Sequence, residues 1–188
     1  MLPAIEEPVV SPDSDVIQRA EAGLTEELLA WYRAEADKSL YFFNKAILGY
    51  PDLTPNLHKP LCDFLQHSIP DRGRGVLMPR KFFKSTNVKG MTLWRLRNNT
   101  NLRFLFVGEN SLVGGKNLSD IRWHLQNNRL LRALYPNMIP AEGAKWTESE
   151  ILLPRTKTFD EPTITTIGIG AKELEEFCRS HCIRRLSR

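Results

Sequence analysis

The stretch GVLMPRKFFKST, residues 75–86, decides the fold predicted for this chain. Its apolar run at residues 76–78 predicts a short buried strand, which breaks at a proline into a basic loop (residues 79–83). The next helix is predicted to begin at the pair Lys84 and Ser85. The first N–H groups of a helix lack partners within the helix, and the helix dipole makes that end electropositive. The basic loop is therefore predicted to bind an anion such as phosphate.

The usual phosphate-loop pattern, G-x-x-x-x-G-K-[ST], places one glycine six positions before its lysine and another directly before it. Met78 and Phe83 occupy these two positions here. A side chain at a glycine position restricts the backbone and crowds the loop, so weak affinity is expected until neighbouring domains close over it. From these residues alone, the alternative is an ordinary strand, turn and helix in which Arg80 and Lys84 are solvated.

Pro79, Arg80, Lys84 and Ser85 form the pattern P-R-x-x-x-K-[ST], which resembles the deviant phosphate loop of the large terminase subunits of tailed bacteriophages. That family tolerates a residue other than glycine before the lysine. Further stretches within residues 38–172 are similar to landmarks of the same family, in the same order and at similar spacings. They are FFNK (42–45), GY (49–50), LH (57–58), residues 103–108, NLSDIRWHLQNN (117–128), LYP (134–136), KWT (145–147) and GIG (168–170).

The resemblance implies an ATP site with Mg²⁺ built on this loop. The backbone N–H groups of residues 80–85 would surround the β-phosphate, and Lys84 would bridge the β- and γ-phosphate oxygens. Ser85 would give its hydroxyl to Mg²⁺, and Arg80 would lie beside the transferred phosphate. His58 lies where these motors contact adenine, although a capping or surface histidine fits its position equally well. The implied nucleotide-binding residues are Pro79, Arg80, Lys81, Phe82, Phe83, Lys84, Ser85, Thr86 and His58, with Lys84 and Arg80 as the catalytic ones.

Strands and helices that alternate predict an α/β fold class. The terminase resemblance implies that the sheet is P-loop NTPase-like, of the terminase ATPase type, and incomplete. Residues 102–107 (LRFLFV) form a nearly continuous apolar run, typical of a parallel strand covered on both faces. With residues 76–78 and the helix between them, they form a β-α-β unit. Residues 151–153 and 163–169 predict a β-hairpin near the C-terminus. Helices are predicted at 15–22, 26–37, 41–48, 60–66, 85–97, 113 or 115–127 and 129–134, with Leu61, Phe64, Leu65, Leu118, Ile121 and Leu125 facing the core.

The sequence divides into an N-terminal arm with helices (1–37), a partial ATPase domain (38–171) and a divergent charged tail (172–188). Phosphoryl transfer with Mg²⁺ needs an aspartate at the end of another buried strand, which in this family closely follows the equivalents of Gly170 and Ala171. The tail contains no apolar run of four residues, so this acidic strand and the family's nuclease domain are expected to be missing. The chain is thus expected to be a fragment of a packaging motor that binds nucleotide but turns over little ATP alone.

The alternative function is a non-enzymatic nucleic-acid-binding or assembly module, in which the basic loop contacts backbone phosphates instead of ATP. A net charge of +4 and a pI near 9.0 permit contact with nucleic acid but do not require it. Cys178, His181 and Cys182 offer one ligand fewer than a structural zinc site needs. No apolar run of 18 residues occurs, so no membrane span is predicted.

The terminase resemblance also implies partners for the complete protein. It would translocate double-stranded phage DNA into the procapsid, in the cytoplasm of the host. It would act as a ring oligomer together with the small terminase subunit and the portal protein. These partners follow from the family and not from the composition, which is compatible with either function.

Overall fold

The computed structural model describes residues 25–67, 75–108, 111–140, 143–144 and 146–168, without the side chains of residues 111–114. Within these ranges the chain has a mixed α/β fold. The helices are α1 (Glu26–Lys38), α2 (Leu40–Phe42), α3 (Pro55–Gln66), α4 (Lys84–Leu96), α5 (Ser111–Asn127) and α6 (Arg129–Leu134). The strands are β1 (Phe104–Gly108), β2 (Glu150–Ile151) and β3 (Ile164–Gly168). A π-helical turn (Phe43–Ile47) continues α2, and a 3₁₀ turn (Pro136–Met138) follows α6.

Some sequence predictions lie outside the described residues. They are the helix at residues 15–22, the charged tail at 172–188 and the trio Cys178, His181 and Cys182. Of the helices that the structure describes, none has the length and apolar content needed to cross a membrane.

The N-terminal helices begin and end where local capping predicts. Thr25 Oγ1 accepts a hydrogen bond from the N–H of Leu28 at 3.3 Å. Two glutamates in the first turn of α1 are attracted to the positive end of the helix dipole. Ser39 ends α1 and caps α2 by accepting from the N–H of Phe42 at 3.2 Å. The π-helical turn ends just before Gly49, whose φ of +74° is a conformation that glycine adopts without strain. The helix predicted at 26–37 is confirmed, and the one predicted at 41–48 is formed by α2 together with the π-helical turn.

β3 lies at the centre of the three-stranded sheet, in the order β1, β3, β2. It pairs in parallel with β1, from Phe104 opposite Ile164 to Gly108 opposite Gly168, and antiparallel with β2. α5 follows β1 and packs against both parallel strands, because a parallel pair needs a long crossover connection. The strand predicted at 102–107 and the hairpin near the C-terminus are confirmed. The parallel pairing of β3 with β1 is not among the sequence predictions.

The strand predicted at residues 76–78 is wrong. This segment has no regular secondary structure, pairs with no strand in the described part of the chain, and leaves Leu77 fully exposed. A strand forms only where a neighbouring strand takes up its N–H and C=O groups. Between the segment and β1 lies a cavity of about 220 Å³, lined by Val76 and Phe106 among others. The β-α-β unit predicted around the basic loop is therefore not formed.

The core is built around α4, which contacts α2, α3, α5 and the π-helical turn. Its Leu93 and Leu96 are fully buried. Most of the core positions predicted on the neighbouring helices are confirmed as buried: Leu61, Leu65, Leu118, Ile121 and Leu125. The prediction is wrong for Phe64, which is 42% exposed on the outer side of α3. Contacts with these four elements hold α4, which follows the basic loop, in the core.

Tyr50 and His124 form a buried pair between α5 and the segment after the π-helical turn. The Tyr50 hydroxyl lies 2.8 Å from His124 Nε2. Burial lowers the pKa of His124 to about 4, while Asp120 raises it and Lys89 lowers it to smaller extents. Burial also raises the pKa of Tyr50 to about 12. At neutral pH both side chains are therefore uncharged in the folded chain.

Lowering the pH from 6.5 towards 4 is expected to reduce the free energy of unfolding through His124, by about 1.4 kcal/mol per pH unit. In this window the unfolded chain takes up a proton on the imidazole, whereas the folded chain does so only near pH 4. Urea unfolding across the window measures the slope. The His124→Gln variant should lose this part of the pH dependence, so equal slopes in both chains would contradict the prediction.

Candidate functional site

The basic loop enters α4 through two residues with a left-handed backbone. Phe83, the N-cap of α4, has φ +48°, and Lys81 has φ +69°. A side chain raises the energy of this conformation by roughly 1–2 kcal/mol per residue, whereas glycine adopts it freely. Phe83 therefore has a glycine-like backbone at the position where the usual phosphate-loop pattern has glycine. The surrounding structure must offset this strain.

Lys84 is the first residue of α4, and its side chain turns back into the basic loop. Its ammonium group donates hydrogen bonds to the carbonyl oxygen of Met78 and, at 3.2 Å, to that of Pro79. None of the ion pairs between described residues involves Lys84. The prediction that Lys84 and Ser85 begin a helix, with the lysine directed into the turn, is confirmed.

The first turn of α4 has neither a side-chain cap nor an acidic residue. The N–H of Asn87 donates to the carbonyl of Phe83 at 2.9 Å, so the N–H groups of residues 84–86 have no acceptor within the helix. Lys84 at the positive end of the helix dipole is unfavourable by about 0.3–1 kcal/mol, whereas an anion there is favourable. This end of α4 therefore attracts negative charge, which would meet N–H groups and an ammonium group together.

Ser85 and Lys84 also line the cavity of about 220 Å³ beside the loop. The remaining lining residues are mostly apolar: Leu61, Leu65, Val76, Val88, Phe106 and Asn117. Pockets that enclose small molecules usually measure about 300–1,000 Å³, so this cavity is too small for a nucleotide. A nucleotide would therefore place its phosphates against the loop and the rest of the molecule outside the cavity.

The other loop residues differ in exposure. Arg80, Lys81 and Phe82 are exposed, whereas Thr86 is half-buried in the first turn of α4. An exposed guanidinium can donate two parallel hydrogen bonds to phosphate oxygens, which a lysine cannot match. The placement of Arg80 beside a transferred phosphate stays a prediction.

His58 is buried beneath the basic loop, with 3% of its surface exposed. Its Nδ1 accepts a hydrogen bond at 2.8 Å from the N–H of Thr54, the N-cap of α3, so the ring proton lies on Nε2. The ring meets the Phe83 ring edge to face, 5.6 Å between centroids. The capping alternative for His58 is confirmed and the surface alternative is wrong. Contact with a nucleotide base stays a prediction.

The structure places few metal ligands near the loop. Among the described residues, no three His, Cys, Asp or Glu side chains are grouped so that they could hold a metal ion. Mg²⁺ is usually held by one or two carboxylates together with phosphate oxygens and water. The exposed Ser85 can add one hydroxyl ligand. The phosphates of the nucleotide would then have to supply most of the negative charge around Mg²⁺.

Two buried asparagines behind the loop are not among the residues that the sequence predicts. Asn44 in the π-helical turn and Asn87 in α4 are both fully buried and bonded to each other. Asn87 lies in the mostly polar stretch KSTNVK (84–89), which gives no signal of burial. Asn44 is marked as a polar side chain within the largely apolar stretch FFNKAIL (42–48), because a buried amide needs partners for its N–H and C=O groups. Such a signal indicates a buried network but not which residues it joins.

The comparisons with known proteins identify no relatives: no protein-family model, no curated protein and no solved structure matches this chain.

Proposed function

We propose that this chain is the nucleotide-binding part of a DNA-packaging ATPase similar to the large terminase subunits of tailed bacteriophages, with a P-loop NTPase-like fold. The observation that carries the proposal is the placement of Lys84. It begins α4 and turns its ammonium group into a strained loop, beside helix N–H groups that lack acceptors. A merely solvated lysine would extend away from the positive end of the helix, so this geometry supports phosphate binding.

In the proposed complex, Lys84 exchanges the carbonyls of Met78 and Pro79 for the β- and γ-phosphate oxygens of ATP. Phosphate oxygens are negatively charged and carbonyl oxygens are not, so the ammonium group gains Coulomb attraction in this exchange. The N–H groups in the first turn of α4 hold further phosphate oxygens, and Ser85 gives its hydroxyl to Mg²⁺. Arg80 stabilises the charge on the transferred phosphate from the open side of the loop.

The proposal extends to the complete motor. Its partners are double-stranded DNA, the small terminase subunit and the portal protein, its oligomer is a ring, and its location is the host cytoplasm. The support for these partners is the ordered set of terminase-like motifs between residues 38 and 172.

MgATP is expected to raise the melting temperature of the wild-type chain, and Lys84→Ala is expected to weaken the affinity for MgATP by about 10- to 100-fold. Hydrogen bonds to charged groups contribute about 1.5–3 kcal/mol, and the variant removes the ammonium group that makes them. Isothermal titration calorimetry and thermal unfolding measure the two effects. Lys157→Ala is the matched control, because it removes the same charge from an exposed position outside the basic loop.

The exposed Arg80 and Lys81 favour a second function, contact of the basic loop with the DNA backbone. If the loop has that function, the affinity for DNA should weaken steeply as the salt concentration rises. It should also be weaker in Lys81→Ala and should not change when ATP is added. Binding of this kind, with no effect of MgATP on the wild-type chain, would overturn the nucleotide proposal in favour of a nucleic-acid-binding module.

A further inference from the structure

The strained residue Phe83 is held from the interior by Asn87. The carbonyl oxygen of Phe83 accepts two hydrogen bonds, one from the backbone N–H of Asn87 and one from its side-chain Nδ2, both at 2.9 Å. The first of these is the ordinary hydrogen bond of a helix turn. The second comes from a fully buried amide whose position on α4 gives it no contact with solvent. Phe83 therefore has a second attachment that helix formation alone does not require.

The direction of the Asn87 amide is fixed by two donors. Its Oδ1 accepts from Asn44 Nδ2 at 2.9 Å and from the Cys62 thiol at 3.1 Å. Burial raises the pKa of Cys62 to about 12, so the sulfur keeps its proton and remains a donor. If the Asn87 amide were reversed, its NH₂ group would face both donors, and its oxygen would face the Phe83 carbonyl. Only one orientation is therefore satisfied, and in it Nδ2 points at Phe83.

Asn44 is held in turn by the close approach of α4. It lies in the π-helical turn with none of its surface exposed, and its amide packs directly on the backbone of Gly90. Single π-helical turns occur frequently at functional sites. The chain of contacts thus runs from the π-helical turn through Asn44 and Asn87 to the backbone of the basic loop.

We propose that Asn87 and Asn44 are positioning residues for the basic loop. They hold Phe83 in its left-handed conformation, so that the first N–H groups of α4 and the ammonium group of Lys84 converge on one point. A conformation this unfavourable for phenylalanine persists only where neighbouring groups determine it, and this buried network does so. The inference rests on the proposed function, because the converging groups are those assigned to the nucleotide phosphates.

If the network acts through the backbone of Phe83, glycine at that position should make it dispensable. Glycine adopts the required φ without support. Asn87→Ala is therefore expected to weaken the affinity for MgATP by about tenfold, and Phe83→Gly in the same chain should return it to within about threefold of wild type. A general loss of stability would not be repaired by a glycine in the loop.

The test compares wild type, Asn87→Ala and Asn87→Ala with Phe83→Gly, by calorimetry with MgATP and by amide hydrogen exchange across residues 81–88 without ligand. Asn101→Ala is the matched control: Asn101 is a half-buried asparagine whose Oδ1 accepts from the N–H groups of Thr156 at 3.1 Å and Lys157 at 3.0 Å, outside the network and the basic loop. It should lower stability yet leave loop exchange and affinity as in wild type. Faster loop exchange in Asn87→Ala alone is the expected result.

Unchanged loop exchange and affinity in Asn87→Ala would overturn the proposal, and so would a loss of affinity that Phe83→Gly does not restore. If Asn87→Ala does not fold, Cys62→Ala can replace it, because it removes one of the two donors that orient Asn87. Loop exchange should then be faster and the affinity for MgATP about threefold weaker. If wild type itself fails to bind MgATP, the proposed function is wrong, and hydrogen exchange alone then decides whether Asn87 positions the loop.

Discussion

Gly90→Ala is expected to destabilise the fold by about 4 kcal/mol, more than 100-fold in the folding equilibrium. A Cβ atom at position 90 would lie 2.6 Å from Cγ and 2.9 Å from Nδ2 of Asn44, with Oδ1 closer still. Asn44 is fully buried and bonded to Asn87, so its amide cannot swing aside without leaving polar groups unsatisfied. Overpacking and the broken hydrogen bond together outweigh the roughly 1 kcal/mol by which alanine favours a helix interior.

Gly115→Ala is the matched control for this prediction. Gly115 lies within α5, and among the described residues a Cβ atom there would meet the backbone oxygen of Glu148 at an ordinary contact distance of 3.8 Å. Alanine should therefore leave stability unchanged or raise it by up to about 1 kcal/mol. Urea unfolding of both variants measures the contrast. Equal stabilities for the two alanine variants would show that Asn44 is not held as the structure indicates.

The second large effect concerns catalysis: the 188-residue chain is expected to bind MgATP yet hydrolyse it at least about 100-fold more slowly than a version with a completed site. Lys84, Ser85 and helix N–H groups can hold phosphates. Nothing comparable to a metal-binding cluster of acids occurs among the described residues, and turnover needs an acid to complete the Mg²⁺ shell and another to orient water. Steady-state phosphate release measures the rate.

The completed version carries an apolar strand ending in two acids after Ala171, and Lys84→Ala in that background is its negative control. Activity recovered in the completed version and lost in the control would agree with the prediction. Steady hydrolysis by the unmodified chain, abolished by Lys84→Ala, would show instead that another acid, such as Glu109 outside the described residues, performs this role.

Features set by neighbouring residues are predictable from this sequence. α6 runs from Arg129 to Leu134 as predicted, because Asn128 caps it by accepting from the N–H of Leu131 at 2.9 Å. The turn of Lys84 into the basic loop is likewise local, since Lys84 lies six positions after Met78. In both cases the deciding contact lies within two helical turns of chain.

Features that need a distant partner are not predictable in this way. Residues 76–78 have the composition of a strand, but composition does not reveal whether another strand lies beside them. Asn44 and Asn87 are 43 residues apart, Asn44 in a largely apolar stretch and Asn87 in a mostly polar one, so neither position reveals the other. The left-handed backbone of Phe83 is also invisible in the sequence, because phenylalanine is an unusual choice for that conformation.

The two carbonyl groups that hold Lys84 have a consequence for selectivity among anions. Any ligand must compete with these carbonyl groups for the ammonium group. It is bound only if its interaction with the ammonium group is stronger than theirs. Chloride or a single carboxylate offers one charge and few acceptor atoms against two preorganised dipoles. A polyphosphate offers several charged oxygens at once, to the ammonium group and to the helix N–H groups alike. We therefore expect the basic loop to bind polyphosphates in preference to chloride and other small anions.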